Sequence, residues 1–326
     1  MKSVKNMTSL AIVCLGCVVP IVVKGSEYYL HIYIICVINI ILASSLRAIA
    51  TTGQASIGQA GFMAIGAYTS AILAAKFNFP TYSALLMGGL AAMVLPALIG
   101  YPLARVRTVY FVMVTMFLCE IIRLVLFEWR NMTGGSTGMM GIPSPEAFSI
   151  VGILQIDFSH RFQFCYLALG LLFLILLTLY NIERSHLGAV FAAIGQEESV
   201  SSSIGINVAR YKVIMFCLAS FFTGLAGSLY AHYMTVLNPD SFGMFTSLYI
   251  VVYVIVGGRK FSGPIVGAII LTLVPEIFGG LKEYQPFIFV MVLFLVVFLL
   301  PGGLSELPGR MKPQIRKIFK RGFRIA

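Results

Sequence analysis

The sequence predicts an all-α, polytopic integral membrane protein, and three observations carry that expectation: its composition, its run of long apolar segments, and the placement of its basic residues. Of 326 residues, 59% are hydrophobic and only 11% are charged, with a mean hydropathy of +0.94. An ordinary globular domain holds about 25% charged residues, so this chain lacks the polar surface to cover itself in water, and it is far too apolar to be disordered. The net charge of +11 comes from 23 Lys and Arg against 12 Asp and Glu. In a soluble domain such an excess would point to nucleic acid; in this background it points to charge at a membrane surface, and no nucleic-acid partner is expected.

A bilayer core takes about 20 residues of helix, with a usual range of about 17 to 25. Ten runs are candidates: 9–23, 28–50, 55–75, 82–104, 108–127, 164–180, 211–236, 245–257, 262–279 and 286–300, of which the first and eighth are short. Lys2 and Lys5 precede the first run as they would in a signal peptide, but no small-x-small cleavage site precedes Lys24-Gly25-Ser26-Glu27, so an uncleaved helix is expected. Short cytoplasmic segments carry excess Lys and Arg. With the N-terminus inside, the inside segments hold 17 basic residues and the outside segments 5, the latter being Lys24, Lys76, Arg130, Arg161 and Lys282. Without the basic tail the ratio is still 10 to 5, so the expected topology is N-in and C-in. Residues 1–305 thus form the transmembrane domain, with an outside (periplasmic) loop at 128–163, a cytoplasmic loop at 181–210 and a basic tail at 306–326. The tail reads as a stop-transfer or lipid-binding segment. The outside loop opens on Thr133-Gly134-Gly135-Ser136-Thr137-Gly138, which reads as turns and not as a folded domain.

Several chemistries have no foothold. There is no G-x-x-x-x-G-K-[ST], so any ATP and Mg used must bind other subunits, and this chain itself is expected to bind no cofactor. His31, His160, His186 and His232 show no ligand spacing, and neither H-E-x-x-H nor G-x-S-x-G occurs, so neither a metal site nor enzymatic activity is expected. Cys14, Cys17, Cys36, Cys119, Cys165 and Cys217 lie in apolar runs and read as reduced packing residues.

Three constellations remain. In Thr52-Gly53-Gln54-Ala55-Ser56-Ile57-Gly58-Gln59-Ala60-Gly61 the glycines oppose a regular helix, and the amides of Gln54 and Gln59 and the hydroxyl of Ser56 are too polar to face lipid. They face either protein or a water-filled path, since broken backbone at membrane depth is tolerated where it lines a cavity. Small-residue rows at i, i+4 spacing (Ser56, Ala60, Ala64; Gly66, Ser70, Ala74; Ala219, Thr223, Gly227, Ala231) equally suit close helix packing. Glu120 and Arg123, at i, i+3 in the fifth span, form either a structural ion pair or a substrate-contacting or gating pair. In the cytoplasmic loop, Leu187, Val190, Phe191 and Ile194 make a helical stripe that Gly195 interrupts before Glu197 and Glu198. Such a helix either docks on a soluble partner or lies on the membrane surface.

Thr52-Gly53-Gln54 through Ser56-Ile57-Gly58, with Phe62 and Gly66-Ala67-Tyr68, resembles the signature of the M-type permease subunit of branched-chain amino-acid ABC importers. Further matches follow in order: Glu120-Ile121-Ile122-Arg123; Thr133-Gly134-Gly135, Gly138 and Gly141-Ile142-Pro143; Gly205-Ile206-Asn207 with Arg210-Tyr211-Lys212; Gly224, Ala226-Gly227 and Tyr230-Ala231; Gly257-Gly258, Gly263-Pro264, Gly267; and Pro301, together covering about residues 45–305. The resemblance implies a permease paired with a related second permease, two cytoplasmic ATPase subunits and a periplasmic substrate-binding protein. It makes residues 187–207 the coupling region, with Phe191, Ala193, Ile194, Glu197, Glu198 and Gly205 meeting the ATPase, and it puts Gln54, Ser56, Gln59, Glu120 and Arg123 along the translocation path. The family usually has His where Gln59 stands, which bears on substrate identity. It usually has a basic residue with acidic and Ala neighbours where Gly195-Gln196-Glu197-Glu198-Ser199-Val200 stands, which bears on contacts with the ATPase. The expected function is an ATP-driven importer of branched-chain or other small neutral amino acids at the bacterial inner membrane, working by alternating access. A urea or short-chain amide importer of the same family is the near alternative. An ion-coupled secondary transporter is the distant one, and it would want more intramembrane acids than the central Glu120.

Overall fold

The computed structural model describes residues 26–145, 148–150, 154–156 and 161–277, with Gly16, Pro20, Phe287, Val290, Met291, Phe294, Phe298, Gly303 and Leu304. The expected first and tenth spans, 9–23 and 286–300, lie outside the described residues apart from those single positions. Two compact units are present, Met1–Val251 and Val252–Ala326.

In the first unit, α1 (Glu27–Ala50) is followed by α2 (Gln59–Phe77), α3 (Thr81–Ala104) and α4 (Thr108–Glu128). A short α5 (Arg130–Thr133) and a 3-10 turn (Gly135–Thr137) lead to β1 (Met139–Met140) and to an antiparallel hairpin of β2 (Phe148–Ile150) and β3 (Leu154–Ile156). Next come α6 (Arg161–Arg184), α7 (His186–Gln196), α8 (Glu198–Ser203) and α9 (Val208–Met234). β4 (Val236–Leu237) pairs with β1, a second 3-10 turn covers Pro239–Phe242, and α10 (Met244–Gly257) continues into the second unit, where α11 spans Gly263–Ile277. The segment expected to form the outside loop therefore carries more local structure than turns alone. Among the described residues, seven helical segments are long and apolar enough to cross a membrane. The expected eighth span reaches 19 residues only when the Pro239–Phe242 turn is added to α10, and the expected ninth, α11, has 15 residues.

Local chemistry sets the helix ends. α2 stops where Asn78 takes a left-handed conformation (φ 50°), and Pro80 precedes the first residue of α3. Asn207 caps α9, its side chain accepting from the Arg210 amide at 3.1 Å. As the glycines anticipated, α2 begins only at Gln59, and Gly53 is left-handed at φ +78°.

Lipid gives helices no hydrophobic reason to associate, so packing must come from close backbone approach and polar contacts. That approach is centred on Gly66 of α2, Gly88 of α3 and Gly224 of α9. A Cβ on Gly66 would overlap the Gly224 carbonyl, and one on Gly224 would stand 2.5 Å from the Ala92 Cβ. Ser228 exploits the proximity, its hydroxyl lying 3.0 Å from both the Gly66 and the Gly224 carbonyl oxygens. One turn further along α9, Gly227 lies against the Met63 backbone. Below this contact Phe216 meets Phe62 and Phe111 edge-on, both at 5.3 Å. The apolar stretches of α1 and α9 are 78% and 72% buried, against 28% for α4, so α1 and α9 are central and α4 is peripheral. The four described free cysteines, Cys36, Cys119, Cys165 and Cys217, are all buried packing residues.

Helix ends expected on one side do gather together. Arg47 pairs with Glu183 and Lys212 with Glu198. At the other end Lys76 donates to the Asn131 carbonyl at 2.6 Å, and Arg161 to the Glu27 carbonyl at 3.4 Å. In the second unit, Gly257 and Gly263 approach so closely that a Cβ on either would overlap the chain of the other's turn, and Gly267 lies against the Tyr253 carbonyl.

Gly224→Ala must push α3 away, and overpacking of this kind costs about 1–3 kcal/mol. Gly170 of α6 has nothing within 4 Å of the space its Cβ would fill. Thermal unfolding in detergent should therefore show a lowered Tm for Gly224→Ala and an unchanged or raised Tm for Gly170→Ala; equal Tm values would contradict the packing described.

Candidate functional site

The interrupted segment between α1 and α2 is built by short polar side chains that turn the backbone and strap it down. The hydroxyls of Thr51 and Thr52 bond back to the carbonyls of Ala48 (2.6 Å) and Ile49 (2.7 Å), closing α1. The Thr108 hydroxyl donates to the Gly53 carbonyl at 3.4 Å, and the Ile57 amide donates to the Thr115 hydroxyl at 3.2 Å. Thr108 and Thr115 are seven residues apart on α4, so the extended run climbs about 10 Å along that helix. The first turn of α2 is held in turn by the Ala60 amide donating to Ser247 of α10 at 2.9 Å. Both α2 and α10 thus begin well inside the apolar layer, level with the middle of α4.

Gln54, Ser56 and Gln59 are all enclosed, at 2%, 1% and 0% exposure. Gln59 Oε1 accepts from the Thr223 hydroxyl at 2.7 Å, joining α2 to α9. The Nε2 atoms of Gln59 and Gln54 are buried without a protein partner. The segment therefore packs against protein and also holds two amide donors that protein does not satisfy; an unsatisfied buried donor carries a desolvation cost of about 1–3 kcal/mol.

Glu120 and Arg123 do pair, with Arg123 Nε and Nη2 donating to Glu120 Oε1 at 2.9 and 2.5 Å. The pair is part of a larger group. Arg123 Nη1 also donates to Asp240 Oδ1 at 2.7 Å, giving a cluster of two acids and one base. The three side chains are 40%, 23% and 62% exposed for Glu120, Arg123 and Asp240, so the cluster lies at the protein's edge. The residues share a site because Asn238 Oδ1 accepts from the Asp240 amide at 3.0 Å, starting the 3-10 turn beside α4. Asn238-Pro239-Asp240 marks a turn in the sequence but does not point to Arg123, 117 positions away. Under the same turn, buried Phe242 lies 6.0 Å from the ring of Tyr68 and 5.9 Å from that of Tyr230.

The cytoplasmic-loop stripe forms α7, and Val190, Phe191 and Ile194 are buried while Leu187 is exposed. Ala193 is half-buried, and Glu197, Glu198 and Gly205 are exposed. Gly195 does not interrupt this helix. α7 runs through Gln196 and ends at Glu197, which is extended at φ −155°. Gly195 instead allows close approach, because a Cβ there would overlap the Thr51 carbonyl. Glu198 is engaged by Lys212, a buried lysine on α9, and Glu197 accepts from the Ser199 hydroxyl at 2.7 Å.

His232 carried no sequence signal. It is buried on α9, with Nδ1 2.8 Å from the Pro143 carbonyl and Nε2 2.8 Å from the Ser70 hydroxyl. A carbonyl only accepts, so Nδ1 donates, and in the neutral ring Nε2 accepts from Ser70. The histidine ties α2 and α9 to Pro143 in the connection between α4 and α6. Among the described residues there is no group of three or more His, Cys, Asp or Glu placed to hold a metal ion.

Seven apolar helical segments, close small-residue packing and a broken helix start inside the apolar layer define a multi-pass α-helical membrane protein of the transport kind. Residues 28–301 match the family described as branched-chain amino acid transport system / permease component, and the chain belongs to that family. It is 30% identical over 298 residues to the high-affinity branched-chain amino acid transport system permease protein LivM of Escherichia coli (strain K12), covering 86% of this chain and 69% of that protein. The LivM protein of Salmonella typhimurium is 29% identical over the same length. The ribose import permease protein RbsC of Haemophilus influenzae is 25% identical over 263 residues, or 72% of this chain and 74% of that protein. No solved structure matches the chain.

Thr223→Val removes the hydroxyl that satisfies Gln59 Oε1 and nearly preserves volume. Leaving that oxygen unpaired should cost about 1–3 kcal/mol, read as a lower Tm in detergent. Thr178→Val, at an exposed hydroxyl bonded only to its own helix's Leu174 carbonyl at 2.8 Å, should leave Tm near the parent value.

Proposed function

We propose that this chain is the permease subunit of an ATP-driven importer for branched-chain or other small neutral amino acids, seated in a bacterial inner membrane with both termini in the cytoplasm. Family membership across residues 28–301 supports the permease role, and the names of the LivM relatives support the substrate class. The observation that carries the mechanism is the contact of α7 with the broken segment that holds Gln54, Ser56 and Gln59. In this reading ATP and Mg bind a pair of partner ATPase subunits, whose closure displaces α7. The path beside Gln54, Ser56, Gln59 and the Glu120–Arg123–Asp240 cluster then changes the side to which it is open. A related second permease completes the path, and a periplasmic binding protein delivers the substrate and selects it. In this reading Arg47, Lys212, Arg105 and Arg107 face the cytoplasm, the side to which an excess of basic residues is assigned.

Gln59, where the family usually has His, gives the urea or short-chain amide reading its support, because an amide side chain offers a donor and an acceptor to a like partner. Uptake by the assembled complex decides between the two: saturable leucine, isoleucine or valine uptake upholds the amino-acid reading, and urea or acetamide uptake without it replaces that reading.

A cysteine at Ala193 should crosslink to an ATPase subunit; free solvent labelling with no crosslink would count against a coupling role for α7. Vesicles holding this chain alone should transport nothing under a proton or sodium gradient, and gradient-driven uptake by the isolated chain would overturn the ATP-driven assignment.

A further inference from the structure

The end of α7 and the break between α1 and α2 touch backbone to backbone, and the side chains that would separate them are missing from both. A Cβ on Gly195 would overlap the Thr51 carbonyl oxygen and stand 3.2 Å from the Gly53 nitrogen. A Cβ on Gly53 would stand 3.3 Å from Gly195 Cα, and Gly53 at φ +78° already disfavours any other residue. The other glycine of α7, Gly188, lies against the Glu183 carbonyl at the end of α6. α7 is therefore seated at both ends by backbone contact. Its middle is fixed by buried Phe191 and Ile194, with the Phe191 ring 6.1 Å from that of Tyr211 on α9. The far side of Gly195 is exposed.

Beyond the contact, the chain leaves regular structure from Gln54 to Ser56. It is fastened to α4 by hydrogen bonds at Thr108 (3.4 Å) and Thr115 (3.2 Å), and Gly58 lies against the Thr115 backbone, 2.8 Å separating the place of its absent Cβ from the carbonyl oxygen, before the chain reaches Gln59. Close-packed atoms transmit displacement, because a packed contact has no free volume to absorb it. A pair of long side chains would absorb the same displacement by changing rotamer.

We propose that Gly195 is the point through which α7 moves the Gly53–Gly58 run, so that displacement of α7 shifts Gln54, Ser56 and Gln59 along α4. Gly195 is then a positioning residue, acting through backbone contact with Thr51 and Gly53. The proposal rests on the reading of α7 as the coupling helix and adds the route by which its movement reaches the membrane path.

The test uses the complete importer in proteoliposomes, with native cysteines of this chain replaced by alanine. Maleimide labelling of Ser56→Cys reports the run, and crosslinking of Ala193→Cys to the ATPase reports docking. Mutations along a coupling element alter coupling by about twofold to thirtyfold, so Gly195→Ala should lower ATP-driven uptake about tenfold while ATP hydrolysis and the Ala193→Cys crosslink persist. The change that vanadate trapping produces in Ser56→Cys labelling when Gly195 is present should be lost, and Gly170→Ala should behave as the parent. Retention of both uptake and the labelling change in Gly195→Ala overturns the proposal and leaves the coupling role of α7 intact. Absence of the crosslink in the Gly195 parent overturns that role and the proposal with it. If Gly195→Ala does not assemble, Thr115→Val leaves α7 untouched and loosens the run. It must likewise lower uptake and the labelling change with hydrolysis retained, and an undiminished response in that variant also overturns the proposal.

Discussion

The contact of three backbones at Gly66, Gly88 and Gly224 is the constraint from which the rest of the first unit follows. In lipid the only gains available to two helices are van der Waals contact and polar bonds across the interface, and both depend on how near the axes come. With no Cβ between them, α2, α3 and α9 come near enough for one serine hydroxyl, Ser228, to reach two carbonyl oxygens on different helices. That registry also sets the level of the other α2–α9 bonds. Thr223 meets Gln59 about a turn toward one end, and His232 meets Ser70 a turn toward the other. A shift of α9 by even one residue would break all three.

Against this block stands the segment 54–57, which lies outside any helix and meets α4 through the Thr115 hydroxyl, while Thr108 holds the Gly53 carbonyl just before it. The segment is bounded by glycine contacts of its own, Gly53 against Gly195 and Gly58 against Thr115, so Gln54 and Ser56 are carried between two close backbone approaches.

Much of this was legible in the sequence, for reasons that are local. Apolar run length gave α1, α3, α4, α6 and α9 to within a few residues, because span length is fixed by the bilayer. The glycines of 53–58 announced a late start to α2, and the i, i+4 rows on α2 and α9 announced their packing faces. Gly227 of the expected row does lie against the Met63 backbone, and Gly224, one residue off that row, adds the approach to α3 and to Gly66. Asp240 and His232 were not legible as site residues, since their partners lie 117 and 162 positions away in the chain. Gly195 was read as a helix breaker from its intrinsic propensity; a neighbouring backbone decided otherwise. A propensity of about 1 kcal/mol per glycine is readily overridden by tertiary contact.

The late start of α10 also shapes what lies beyond its first residue. At 14 residues, α10 is about 21 Å long, short of the roughly 30 Å of hydrocarbon. The remainder is filled by the Pro239–Phe242 turn, the Phe242 ring set between Tyr68 and Tyr230, and the bridge from Arg123 to Asp240. These contacts are made by side chains and not by a helix. Parting them would separate aromatic edges and one exposed ion bridge and would leave the hydrogen-bond ladders of α2, α4 and α10 whole.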